Sequence, residues 1–265
     1  MALEGGRHNR RMQALLPPAE IPRIELATLD AVAPRAVDSS LPGWLLPFES
    51  APIGRAHSAV PLQHDGLSPT DIDTIEARYH QQHLPPVWRM ADVAGLQPLH
   101  AALRQRGYTP RQPTLVQTAG AGPLAAAPAR HTVVLRAAPD AAWRSVYTAA
   151  GFDPVDGEAR IAALSRSQVM LYATVMEGGL ACAAGTASFS QGWVGIHGMR
   201  TVLAHRQRGM ARAILAAVAQ EGLRRGIEQV FLQVEEDNTG ARALYAQHGF
   251  ATAWRYQYWR AGAAP

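Results

Sequence analysis

The strongest constraint on the fold is a change of hydrophobic period in the second half of the chain. Three β-prone runs at residues 168–175, 180–189 and 193–202 are separated by short glycine-containing loops, a spacing that predicts antiparallel hairpins. Helical periodicity on both sides, and further β-prone runs, predict helices at 139–147, 158–164, 209–226 and 238–247 and strands at 132–135, 229–234 and 251–259. The order β-α-α-β-β-β-α-β-α-β indicates an α/β fold with a mixed sheet.

The first half repeats part of this order more faintly. We predict strands at 44–48, 56–62, 87–90 and 114–118 and helices at 69–79 and 96–106. In both halves a helix end is followed by glycine, an aromatic residue and a strand, at Gly107-Tyr108 and at Gly249-Phe250. The repeated pattern indicates a weak internal duplication on the scale of a domain.

Composition suggests where the chain divides. Residues 119–128 consist mainly of Gly, Ala and Pro without charge, as is typical of a linker. We therefore predict a flexible arm at 1–22, a first unit at 23–119, a linker at 120–129 and a second unit at 130–265.

Charge and cysteine content exclude several classes of protein. The 265 residues are 48% hydrophobic with a net charge of +4, and scattered arginines supply the positive charge. This indicates a globular protein, and a nucleic-acid partner is not expected because such proteins carry clustered basic stripes. Cys182 is the only cysteine, so no intrachain disulfide or cysteine-based metal centre is expected. We predict no metal, no membrane span and a cytoplasmic protein, either a monomer or a homodimer.

The segment Arg206–Ala211 joins a predicted strand to a predicted helix. A glycine-containing turn at a helix N-terminus directs backbone N–H groups and the positive end of the helix dipole at one point, which suits a pyrophosphate. Gly209 would allow close approach of the backbone. Taken alone, the segment is equally compatible with an ordinary strand–helix turn.

A second motif follows about thirty residues later, formed by Asn238, Ala241, Leu244, Tyr245, Gly249 and Phe250. Together with Arg206, Gly209 and Ala211 it resembles the GNAT (GCN5-related N-acetyltransferase) superfamily over residues 130–260. Gln207 stands where this family often has glycine, and Ala211 replaces the last glycine; we expect both to keep right-handed dihedral angles. The first half resembles a degenerate GNAT unit, and because residues 60–71 lack the turn motif we predict no cofactor there.

The resemblance implies two GNAT-like domains, the second one complete, with acetyl-CoA as acyl donor. Backbone amides on the strand that splays from its neighbour, at Thr201, Val202 and Leu203, would bind the thioester carbonyl and the pantetheine arm. The pyrophosphate would be held by the turn residues Arg206, Gln207, Arg208, Gly209, Met210, Ala211, Arg212 and Ala213. Asn238 and Tyr245 would contact the rest of the cofactor.

The chemistry of acyl transfer suggests candidates for proton transfer. The Tyr245 phenol would protonate the departing thiolate as a general acid, with simple packing on the cofactor as the alternative. Asn238 is equally compatible with a plain helix N-cap. The general base stays open. Glu235 follows a strand at the expected cleft, where solvated loop charges are also common, and strand alternation places His197 on one face with Trp193, Gly195, Met199 and Thr201.

These features predict an acetyl-CoA-dependent N-acetyltransferase that moves an acetyl group to a primary amine by direct attack in a ternary complex. The acceptor is a small-molecule, peptide or protein amine. The main alternative is a catalytically silent CoA-binding sensor or protein-binding scaffold, and a third is a nucleic-acid-associated modifier.

Overall fold

A computed structural model describes residues 16–50, 53–128 and 130–262. The helices are α1 (Glu20–Val32), α2 (Asp71–Gln81), α3 (Gln97–Gln105), α4 (Ala121–Ala125), α5 (Ala141–Tyr147), α6 (Pro154–Leu164), α7 (Met210–Arg224) and α8 (Thr239–Gln247). The strands are β1 (Ala36–Asp38), β2 (Trp44–Phe48), β3 (Val60–Pro61), β4 (Val87–Ala91), β5 (Tyr108–Gly120), β6 (Val133–Arg136), β7 (Met170–Glu177), β8 (Leu180–Ser190), β9 (Trp193–Thr201), β10 (Gln229–Glu235) and β11 (Ala251–Ala261).

Helix α1 is the main element that the sequence patterns did not predict. Residues 1–15 of the expected arm lie outside the described residues, but residues 20–22 already belong to the helix. Pro22 lies in the first turn, where the missing N–H costs nothing because it has no intrahelical acceptor. The apolar face of the helix is buried, with Ile24 fully inaccessible to solvent, so α1 is part of the core.

The mixed α/β fold is confirmed. Strands β7, β8 and β9 form the expected antiparallel meander, β6 pairs antiparallel with β7, and β10 pairs parallel with β9. The eight-stranded sheet has the order β4-β11-β5-β10-β9-β8-β7-β6, and β1, β2 and β3 form a smaller sheet. Because β9 and β10 are parallel, the connection between them carries α7 across one face of the sheet.

The two halves of the chain exchange strands in the large sheet. Strand β5, from the first half, lies between β10 and β11, and β11 lies between β5 and β4. The segment that was expected to be a linker includes α4, whose Leu124 is buried in the same apolar cluster as Leu215 and Val218 of α7. The boundaries of the two units stay a prediction, but their strands share one sheet.

The first half also holds a parallel contact between two strands. The strand expected at 56–62 is reduced to β3, preceded by a 3-10 turn at Gly54–Ala56. Ala59 forms a parallel bridge with Trp88 of β4, with an Ala59 N–H to Val87 carbonyl distance of 2.8 Å. This contact has the same parallel sense as the β9–β10 pair.

An ion pair is buried between α1 and β4. The Arg89 guanidinium lies 2.5 Å from the Glu25 carboxylate, with side-chain exposures of 0% and 3%. Arg89 also lies over the ring of Tyr256 on β11. The charged pair therefore joins three elements in the first-half core.

Candidate functional site

Strands β9 and β10 diverge part of the way along their length. They pair from Trp193–Gln229 to Ile196–Leu232, and no further pair joins them although both strands continue. A register shift between β8 and β9 inserts one extra residue on β9 around Gly198, whose φ is +61°. A Cβ at Gly198 would lie 2.7 Å from the Tyr147 hydroxyl oxygen, so a side chain there would collide with the packed ring. The bulge marks where the gap opens.

The gap exposes backbone amides of β9. The Val202 N–H donates to the Cys182 carbonyl of β8 at 2.9 Å. Since alternate residues of an antiparallel ladder bond to the same neighbour, the N–H groups of Met199 and Thr201 point away from β8, towards the gap. Thr201 thus directs its N–H group at the gap, whereas the Val202 N–H is already bonded to β8. The Leu203 side chain is exposed.

The N-terminus of α7 begins beside this gap. Gly209 precedes the helix with φ +84°, and no described side chain caps the free amides. The first helical bond runs from the Ala213 N–H to the Gly209 carbonyl at 3.1 Å, so Met210, Ala211 and Arg212 have no intrahelical acceptor. A Cβ at Gly209 would face open space. The turn therefore presents unbonded amides and a positive dipole end to an anion, whereas Ala213 offers no free N–H.

The expectation for Gln207 was wrong. Its φ is +60°, in the left-handed region, whereas Ala211 lies in the α7 helix. The turn requires positive φ at residues 207 and 209, which explains why glycine suits the first of these positions. Glutamine at this position costs about 1 kcal/mol or more relative to glycine.

The side chains of Arg206 and Arg208 stabilise the turn through hydrogen bonds to neighbouring residues. Arg208 donates to the Glu177 carboxylate at 2.8 Å and to His205 Nδ1 at 3.0 Å. Arg206 Nε lies 3.4 Å from the Thr201 carbonyl. These contacts hold the turn while its backbone amides remain open.

A cavity of about 380 Å³ opens from the gap between β9 and β10. Its walls come from α6, α8, β5, β11 and the turn at Ile53–Arg55, and four predicted residues line it: His197, Glu235, Asn238 and Tyr245. None of the predicted residues 201–213 lines it. The structure therefore separates the predicted set into a cavity group and a group at the start of α7.

Tyr245 on α8 and Asn238, which caps the start of that helix, lie at the cavity wall. Tyr245 is 8% exposed, and its ring centroid lies 5.6 Å from that of Phe250. Burial raises the pKa of the Tyr245 hydroxyl to about 12, so it remains protonated at neutral pH. Asn238 Oδ1 accepts the Ala241 N–H at 3.1 Å, which is the helix N-cap role.

His197 is buried at the cavity wall. Its Nε2 lies 3.0 Å from Ser188 Oγ, and its Nδ1 has no hydrogen-bond partner among the described residues. Burial, reinforced by the positive charge of Arg55, lowers the pKa of His197 well below its usual value, so the ring is neutral. The expectation that Met199 shares its face was wrong: the bulge reverses the alternation, and the Met199 sulfur packs near Gly185 and Ile214 on the α7 side.

Glu235 is exposed at the end of β10. Its Oε1 accepts a hydrogen bond from Gln112 Nε2 on β5 at 2.7 Å, and it lines the cavity. The carboxylate is therefore oriented by a residue from the other half of the chain.

Several cavity residues were not predicted. Arg55 and Gln112 come from the first half, and Gln233, Tyr256 and Tyr258 come from β10 and β11. None belongs to a motif, and the strand exchange that brings them together leaves no local pattern in the sequence.

The corresponding turn of the first half differs in charge. Helix α2 carries Asp71 and Asp73 in its first turn, and Trp44 Nε1 donates to Asp71 at 3.0 Å. Carboxylates at a helix N-terminus oppose the approach of a phosphate. The absence of a cofactor site in this half stays a prediction, and this charge pattern favours it.

Several solved structures with a similar fold are GNAT proteins. A GCN5-related N-acetyltransferase from Kribbella flavida has a TM-score of 0.66 at 15% identity, with 92% of this chain and 96% of that chain covered. A tandem GNAT protein from the clavulanic acid biosynthesis pathway has a TM-score of 0.60 at 16% identity, covering 92% and 95%. A GCN5-related N-acetyltransferase from Sphaerobacter thermophilus has a TM-score of 0.55 at 19% identity, covering 95% of each.

These similarities show that the chain has the GNAT fold, and that it resembles a tandem GNAT protein over most of its length. The family model described as "Probable histone acetyltransferase Rv0428c C-terminal" matches residues 18–259, and the chain belongs to this family. A search of curated proteins gave no match. Among the described residues, no helix is long and apolar enough to cross a bilayer.

Proposed function

We propose that this protein is an acetyl-CoA-dependent N-acetyltransferase that transfers an acetyl group to a primary amine by direct attack in a ternary complex. The observation that carries the proposal is the β9–β10 gap, which lies between the uncapped start of α7 and a cavity lined by Tyr245. The chain thus combines an anion-binding helix end, free strand amides and a proton donor.

The residues present fit acetyl-CoA. The amides of Met210, Ala211 and Arg212 suit its pyrophosphate, and the Thr201 and Met199 amides suit an extended amide-bearing arm and a carbonyl oxygen. When bound, acetyl-CoA would supply an activated acetyl group and a thiolate leaving group. The chain's own residues would hold that group between the start of α7 and the cavity.

Tyr245 provides the proton for the leaving thiolate in this proposal. The burial that raises the pKa of its hydroxyl to about 12 also disfavours a thiolate in the same place, so both pKa values rise together. Its hydroxyl has no hydrogen-bond partner among the described residues. It is therefore available to the leaving sulfur without breaking an existing contact.

The amine would enter from the cavity side. Glu235, held by Gln112, is placed to accept a proton directly or through water. His197 lines the same cavity, but its Nδ1, unpaired within the described part of the chain, is shielded from solvent. The cavity volume of about 380 Å³ is in the range of small-ligand sites, so the proposal favours a small amine.

Thermal stabilisation by acetyl-CoA tests the cofactor site. We expect wild type to be stabilised by acetyl-CoA and by CoA, and Gly209→Trp to lose this effect because the bulky side chain would occupy the open approach to the turn. Gly226→Trp is the matched control, since Gly226 also has a positive φ of +73° and open space but follows the other end of α7. No stabilisation of wild type at millimolar acetyl-CoA would refute the proposal.

Turnover distinguishes an enzyme from a silent CoA-binding sensor. We expect wild type to release CoA from acetyl-CoA in the presence of amines from a library, and to acetylate at least one of them. Binding of acetyl-CoA without release of CoA above the uncatalysed rate, across free amines and peptides, would favour the sensor instead.

A further inference from the structure

We infer that Arg55 binds an acid group of the acceptor, so that the acceptor is a small amine carrying a carboxylate, such as an amino acid. This inference rests on the proposed function, because it names the substrate class of the same cavity. Arg55 comes from the first half of the chain and reaches the cavity beside Tyr256 and Tyr258 of β11.

Arg55 forms no ion pair within the described part of the chain, and the buried carboxylate that feels its charge, Glu25, is already paired with Arg89. Its Nη1 donates to the neutral Gln233 Oε1 at 3.2 Å, and no carboxylate of the described residues lies within ion-pair distance of it. In contrast, Arg160 of the same cavity is paired with Asp156 at 2.8 Å. A half-buried guanidinium that donates only to a neutral acceptor is suited to bind an anion. A carboxylate fits best, because it can accept two parallel hydrogen bonds from the guanidinium.

Gln233 holds Arg55 in a fixed direction. Gln233 Oε1 also accepts the Tyr256 hydroxyl at 2.9 Å, and Gln233 Nε2 donates to Thr28 Oγ1 of α1 at 3.1 Å. This network fixes the amide with its oxygen towards Arg55. The arginine is therefore preorganised, and a ligand need not order it on binding.

Gly54 allows the turn at Ile53–Arg55 to pack closely against β11. A Cβ on Gly54 would lie 2.7 Å from two ring carbons of Tyr258. The requirement for glycine is one of space, since the φ of Gly54 is not positive. The close approach sets the position of the next residue, Arg55, in the cavity wall.

The charges of the cavity favour an acidic over a basic acceptor. Arg55, Arg160 and Arg260 line it against the two carboxylates of Asp156 and Glu235, and Asp156 is occupied by Arg160 and Arg200. A lysine-rich protein tail would bring further positive charge to this surface. An amino acid instead places its acid group at Arg55 and its amine in the same cavity as Tyr245 and Glu235.

Steady-state kinetics with matched acceptor pairs test the inference. The probes are free amino acids, their carboxamides and a lysine-rich peptide, each with acetyl-CoA. We expect wild type to prefer the acid of a pair, and Arg55→Gln to lower kcat/KM for the acid by about 10- to 100-fold, mainly through KM, with little effect on the carboxamide. The kcat/KM of Arg55→Lys for the acid should lie between those of wild type and Arg55→Gln, because lysine keeps the charge but cannot form a bidentate hydrogen-bonded pair with a carboxylate.

Controls separate this site from general effects of charge and folding. Arg224→Gln removes the same charge from the exposed end of α7 and should leave the acid preference intact. Gly54→Ala keeps every charge and should weaken the preference by displacing Arg55. Acetyl-CoA affinity should be unchanged in Arg55→Gln, and the circular dichroism melting curve of each variant reports whether it folds.

Binding of N-acetyl amino acids and their amides, measured by calorimetry, gives a readout that does not need turnover. Arg55-dependent binding of the acid form supports the site even if acetyl transfer fails, in which case the proposed function alone is wrong. The inference would be overturned if wild type used the acid and the amide equally well, or if Arg55→Gln lowered kcat/KM equally for both. It would also be overturned if the lysine-rich peptide were the best acceptor.

Discussion

Tyr245→Phe is the most direct test of the proposed chemistry because it removes a single hydroxyl. The ring packs against Phe250 and is almost fully buried, so phenylalanine preserves the packing. The hydroxyl has no hydrogen-bond partner among the described residues, and its removal should change the free energy of unfolding by less than about 1 kcal/mol. Stability and catalysis should therefore respond separately.

The catalytic effect should be much larger. Burial raises the pKa of Tyr245 to about 12, whereas a free thiol titrates near 8.5, so transfer to an unshifted thiolate would be uphill by about 5 kcal/mol. The hydroxyl can act only if the thiolate is held in the same buried place and its pKa is also raised. A positioned acid of this kind accelerates a reaction by about 100- to 10,000-fold. The kcat of the variant should therefore fall by that factor, which corresponds to an activation barrier higher by about 3–5 kcal/mol.

The assay follows CoA release by a thiol reagent at saturating acetyl-CoA, with acetyl-CoA affinity measured separately by calorimetry. We expect an unchanged dissociation constant and a reduced kcat. Leu244→Ala is the control for disturbed packing, because Leu244 precedes Tyr245 on α8 and packs against the same apolar cluster. A kcat for Tyr245→Phe within about threefold of wild type would refute the role of general acid and leave Tyr245 as a packing residue.

Three further predictions concern the framework of the site. In Gly209→Ala the Cβ meets open space, so the cost is backbone strain of about 1–2 kcal/mol, measurable as a lower urea midpoint. Glu25→Gln leaves the Arg89 charge buried without its partner and should destabilise the fold by about 3–5 kcal/mol. The double variant Glu25→Leu with Arg89→Met should lose less stability than the sum of the losses of the two single variants. Additive losses would contradict this. Partial burial acts to raise the folded-state pKa of Asp156, but the hydrogen bonds and charges of Arg160 and Arg200 together outweigh it and lower the pKa. The stabilising effect of the carboxylate is therefore present above its unfolded pKa and is lost as the pH falls through the folded value. The stability difference between wild type and Asp156→Asn should shrink below about pH 4, and a difference independent of pH would contradict this.

The sequence allowed prediction of the parts of the fold whose signals are local. The meander of β7, β8 and β9 and the helix α7 follow from a clear change of period, and the observed bounds lie close to the expected ones. The positions of Asn238 at the start of α8 and of Tyr245 on the same helix follow from a motif in which spacing sets the helix face.

The features that the sequence did not reveal depend on contacts between distant segments. Arg55 and Glu235 meet at one cavity only because β5 and β11 cross between the halves. Met199 was placed on the wrong face because a one-residue bulge at Gly198 reverses the alternation, and a bulge has no period of its own. Gln207 was given the wrong dihedral region because the demands of the turn override the preference of its side chain.

The exchange of β5 and β11 also bears on how the protein is made. Strand β4 emerges from the ribosome early, but its neighbour in the finished sheet, β11, is translated only near the end of the second half. Until then β4 presents an unpaired edge, the kind of surface that invites pairing with other chains. A gene fragment encoding either half alone would produce a protein with a missing strand, and expression in two pieces would require both pieces to meet before either could close its sheet.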